Sequence, residues 1–128
     1  MTKPLSKVTD YTRFLGSIKS RITHARVRAA RTVNHELIDL YWSIGKDIAD
    51  KQENLGCGKS VMEKLSGDLR KAFPGTTGFS TPNLWFMRQF YLEYRDHPNL
   101  LQLARELPWF TNVTVFTKIN RWVLPDIN

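Results

Sequence analysis

Thr81, Trp85, Arg88 and Gln89 carry side chains able to read or stack on bases, and their spacing puts them together. On a 3.6-residue wheel Thr81, Trp85 and Gln89 share one face with Leu92, and Arg88 sits at its edge. Glutamine pairs bidentately with an adenine edge and arginine with a guanine edge. A second set is basic. Arg13, Arg21, His24, Arg28 and Arg31 form a stripe beside an apolar seam, with Lys19 and Arg26 on its other flank. Such a stripe can follow a phosphate backbone. A solvated face whose long side chains lie along the seam gives the same pattern.

The charge balance points the same way. The formal net charge is +7, and residues 1–31 alone hold eight Lys/Arg against one acid, Asp10. Releasing counterions from a polyanion rewards that asymmetry, so double-stranded DNA is the expected partner.

Other chemistries find little footing. Phosphodiester cleavage with Mg²⁺ needs clustered carboxylates and a lysine. The acids here are scattered through amphipathic stretches, and Asp68 and Asp126 are candidates only by default. No enzyme activity, cofactor or metal site is therefore expected. His24 lacks ligand spacing to His35 or His97. The single cysteine, Cys57, lies between Gly56 and Gly58 and reads as a bland thiol in a reducing compartment. That glycine pair is not a phosphate cradle, because no strand precedes it and no Lys-Ser/Thr pair follows. With no apolar run of about 18 residues and no signal sequence, a soluble, cytoplasmic protein without a membrane span is expected.

The elements that must position these residues read as mainly α, in one domain over residues 1–128. Residues 8–51 form a long helical region. Tyr11, Leu15, Ile18, Ile22, Ala25, Ala29, Val33, Leu37, Leu40, Ile44 and Ile48 recur at spacings of three or four. As one rod, about 40 residues would span about 60 Å, against a radius of gyration of about 14 Å for a compact chain this long. Two helices, or one kinked near Thr32-Val33-Asn34, are therefore favoured over a straight rod, and self-association through the seam is open either way. Residues 58–95 form a helix-turn-helix candidate. Val61, Leu65, Leu69 and Phe73 line the first helix, Pro74 and Gly75 stop it, and Ser80 with Pro82 starts the second. Leu84, Met87, Phe90, Tyr91 and Tyr94 face inward from that second helix. Residues 96–128 hold a short helix, with Leu100, Leu103 and Leu107 inward, and an uncertain tail. Residues 111–119 alternate like an edge strand, which would make a wing, and a final helix is the competitor.

A family resemblance rests on specific blocks. Tyr11, Ile18-Lys19 and Ala25-Arg26 come first, then Val33-Asn-His-Glu-Leu-Ile-Asp-Leu-Tyr-Trp-Ser-Ile-Gly45, Leu65-Ser-Gly-Asp-Leu69 and Phe73-Pro-Gly75. Gly78-Phe-Ser80, Asn83-Leu84, Met87-Arg-Gln-Phe-Tyr91 and Glu106-Leu-Pro-Trp109 follow. Over about residues 11–109 the chain resembles the N-terminal domain of the YhcG-like family. The resemblance implies bacterial origin, and a DNA-binding domain that in full-length members precedes a PD-(D/E)XK nuclease domain. Cys57 departs from the usual aromatic of that family's turn. Two functions are thus open: a DNA-binding helix-turn-helix module of a nuclease-family protein, or a helical dimerisation or interaction module that docks a nuclease partner.

Overall fold

The computed structural model describes residues 4–56 and 58–122, with side chains from residue 7 to 118 apart from residues 54, 55 and 57. Five helices follow in chain order: α1 (Pro4–Leu55), α2 (Lys59–Ala72), α3 (Thr81–Tyr94), α4 (Pro98–Ala104) and α5 (Trp109–Trp122). No strand occurs among the described residues. The chain divides into two units, Met1–Val33 and Asn34–Asn128.

Two separate helices do not form: α1 is helical from Pro4 to Leu55. Residues with low helix propensity cost most when their polar groups compete with the backbone. Neither Thr32 nor Asn34 interrupts α1 here. Thr32 Oγ1 donates to the Arg28 carbonyl one turn back at 3.0 Å. The Asn34 amide donates away from its helix, to the carbonyls of Arg105 and Leu107 at 2.9 and 2.8 Å. Gly56 ends α1 with φ of 65°, and its N–H donates to the Gln52 carbonyl at 3.2 Å. That left-handed cap is the role its type predicts. Cys57 and Asp126 lie outside the described residues.

In the unit from Asn34 onward, α3 is the central helix. Leu84, Met87, Phe90 and Tyr94 are buried, as the wheel predicts. Tyr91 is half-buried, its ring 4.9 Å from Trp42 in an edge contact. One core cluster joins Ile38, Phe90, Tyr94, Ala104 and Phe116, and a second joins Tyr41, Ile48, Met62, Leu84 and Met87. Gly45 lets α1 and α3 touch backbone to backbone, because a Cβ there would overlap the Met87 carbonyl.

That contact also corrects the register of the buried face. Ile38, Tyr41, Ile48 and Ala49 are buried, whereas Leu40 is 46% exposed. Residues 37–49 carry apolar groups on more than one side, and Gly45 selects the side on which α3 can approach. A similar correction holds for α4. Ala104 is buried and Leu101 packs on the core, while Leu100, Leu103 and Leu107 are exposed. Pro98 at its start and a length of seven residues turn a narrow face inward.

Residues 111–119 are helical, not a wing. Phe116 and Asn112 are buried there. The Thr114 and Thr117 hydroxyls donate to the Phe110 and Val113 carbonyls at 3.1 and 2.6 Å. Tertiary burial thus overrides the β-branched composition. No described helix is long and apolar enough to cross a membrane.

Candidate nucleic-acid interface

The start of α3 is built as its sequence requires. Ser80 Oγ accepts from Asn83 N–H at 3.2 Å, and Pro82 occupies the first turn. Asn83 then fastens the preceding loop. Its amide donates to the Gly78 carbonyl at 2.6 Å, while its Oδ1 accepts from the Trp109 indole at 2.7 Å. Ser66 on α2 donates to the Phe79 carbonyl at 2.6 Å. Phe73 to Ser80 forms the connection between α2 and α3, longer than the three or four residues of a helix-turn-helix turn.

The four residues expected to face bases lie inside this framework. Thr81, Trp85, Arg88 and Gln89 are all half-buried, and Pro82 is the one exposed residue of α3. Trp85 packs on the cluster that contains Tyr41, Ile48 and Met87. Arg88 Nε donates to Gln52 Oε1 of α1, and its guanidinium lies 5.8 Å from the Trp85 ring centre. A cation over a partly desolvated indole is worth about 0.5–2 kcal/mol. Arg88 and Trp85 are therefore committed to each other and to α1. The Gln52 contact spans 36 residues of sequence, so no local pattern could have revealed it.

The basic stripe has the opposite character. From residue 7 to 33 every residue of α1 is exposed except Leu15 and Ile18, which are half-buried. Arg13, Arg21, Arg28 and Arg31 all stand on this segment, which holds seven Lys/Arg against one acid. Arg21 borders a shallow groove with Ile18, Ile22 and Ala25. Apolar groups are exposed beside the charges, with Val8 at 60%, Tyr11 at 61% and Ile22 at 47%.

Sequence reasoning missed the clasp at the α4–α5 corner. Asp39 accepts from Arg105 Nε and Nη2 at 2.8 and 3.0 Å, and His35 Nε2 meets Glu106 Oε1 at 2.9 Å. The buried Asn112 amide donates to the Ala104 carbonyl at 2.9 Å. The α1 side of the clasp, Asn34, His35 and Asp39, lies 66 to 73 positions from Arg105, Glu106 and Leu107, so no local pattern in the sequence shows it. Burial pushes the Tyr41 phenol above its ordinary value, and it does the same to Tyr94, with a further push from Glu93. Among the described residues no group of three or more His, Cys, Asp or Glu is placed to hold a metal ion.

A family model described as the DUF1016 N-terminal domain matches residues 17–122. No curated protein and no solved structure matches the chain.

Proposed function

Because the chain belongs to the DUF1016 N-terminal domain family, in keeping with its YhcG-like blocks, we propose that it is a duplex-DNA-binding domain that grips phosphates through α1. One observation carries this reading: residues 7–33 present seven Lys/Arg and a single acid on a helical segment with no share in the buried core. Arg13, Arg21, Arg28 and Arg31 are the contacts, and each neutralised phosphate releases condensed counterions. Contacts of that type position a protein on DNA without reading sequence. α3 supports the fold in this reading, with base reading through Thr81 or Gln89 a lesser share. Catalysis is assigned to no residue of the domain.

The test is binding of a labelled duplex of arbitrary sequence. Affinity should fall by about 10² between 50 and 200 mM salt if these four side chains each contact a phosphate. Absence of a salt-sensitive shift overturns the proposal. A second reading, a helix-pairing module, is favoured by the exposed Val8, Tyr11, Phe14, Ile22 and Val33 on the same segment.

A further inference from the structure

Residues 8–32 of α1 fit a heptad register. Val8, Leu15, Ile22 and Ala29 take the first position of each repeat, and Tyr11, Ile18, Ala25 and Thr32 the fourth. This seam is uncovered within its unit, where Val8, Tyr11, Ile22, Ala25 and Ala29 are exposed. The positions that flank such a seam are basic on both sides: Lys19 and Arg26 on one, Lys7, Arg21 and Arg28 on the other.

These flanks decide what can cover the seam. In a parallel pair of identical helices, a flanking residue meets the opposite flank five positions on in its partner. Arg21 of one copy then faces Arg26 of the other. In an antiparallel pair like flanks meet, and basic residues again face basic residues. Like charges directly opposed disfavour both arrangements. Size gives the same answer, since a parallel self-pair sets Ala25 on Ala25 and Ala29 on Ala29 and leaves those layers thin. The more acidic part of α1, with Glu36, Asp47, Asp50 and Glu53, cannot serve as the partner strand, because its apolar face is already buried through Ile38, Tyr41, Ile48 and Ala49.

We infer that residues 8–32 pair with an amphipathic helix of another protein that carries acidic residues on both flanks of its seam and leucine-sized residues opposite Ala25 and Ala29. This goes beyond the DNA reading and stands without it. The two meet at Arg21 and Arg28, so an acidic helix and duplex DNA compete for the same side chains.

The full chain is titrated with three synthetic helices of four heptads. The first has Leu at both seam positions and Glu on both flanks, the second has Lys on the flanks, and the third keeps Glu but has Ser in the seam. Affinity is read by fluorescence anisotropy and stoichiometry by sedimentation. The Leu/Glu helix should form a 1:1 complex, at least about tenfold tighter than either control. The triple variant Arg21→Glu, Arg26→Glu, Arg28→Glu should reverse the order and prefer the Leu/Lys helix. Circular dichroism verifies that this variant, altered only at exposed positions, keeps its helices. Equal affinity for all three helices, a self-dimer that the Leu/Glu helix does not displace, or binding of duplex DNA but no helix overturns the inference.

Discussion

Replacing Gly45 with alanine sets two opposed effects against each other at a single methyl group. In a helix interior, alanine ordinarily gains about 0.5–1 kcal/mol over glycine because the unfolded chain loses freedom. At Gly45 the new Cβ would overlap the Met87 carbonyl oxygen and crowd its carbon and the next amide. Those are backbone atoms of a buried helix and cannot rotate away. α1 and α3 must separate instead, which loosens Tyr41, Ile48, Leu84 and Met87 around them. Overpacking of this kind costs about 1–3 kcal/mol and sometimes more, so the steric effect wins and a net loss of about 1–2 kcal/mol is expected. Gly67 supplies the control. It is also helical, and a Cβ there meets nothing within 4 Å, so Gly67→Ala should stabilise by about 0.5–1 kcal/mol. Urea unfolding of both variants gives the comparison. If Gly45→Ala stabilises as much as Gly67→Ala, the backbone crossing of α1 and α3 is wrong.

Phe90→Ala should cost about 3–5 kcal/mol in the same assay, whereas Leu40→Ala, half-exposed, should cost well under that; equal losses would restore the seam register read from spacing alone. Arg88→Ala should lower the melting temperature through its lost contacts with Gln52 and Trp85, and a variant that melts normally yet discriminates poorly between duplex sequences would return α3 to a reading role. For Tyr41 and Tyr94 the folded phenol titrates above its unfolded value. Above about pH 10 the unfolded chain therefore releases these protons first, so their stabilisation is complete below that pH and declines as pH rises. Tyr41→Phe should flatten this alkaline loss when unfolding is followed from pH 9 to 11, and an unchanged profile would count against the buried, neutral phenol.

Much of the fold was legible where the signal is local. Ser80 and Pro82 mark the start of α3, Gly56 ends α1, and Leu84, Met87, Phe90 and Tyr94 define an inward face from spacing alone. What failed depended on partners distant in sequence. Leu40 rather than Ile38 looked like seam because a run apolar on several sides does not say where its neighbour will approach. The alternation through residues 111–119 resembled a strand because propensity is blind to the burial of Asn112 and Phe116. Of the candidate site, the basic stripe is a local pattern, and its residues stand exposed on α1. The α3 set is half-buried, and Arg88 engages both its neighbour Trp85 and Gln52 of α1; the Gln52 contact cannot be read from the α3 wheel.

The central claim is that α1 binds phosphates, and its most direct measurement is the dependence of duplex affinity on salt for the native chain and for Arg21→Ala with Arg28→Ala. Each lost phosphate contact removes about 0.9 from the slope of log affinity against log salt, so the double variant should lose about two units and weaken on every duplex alike. A slope identical to that of the native chain would contradict the account.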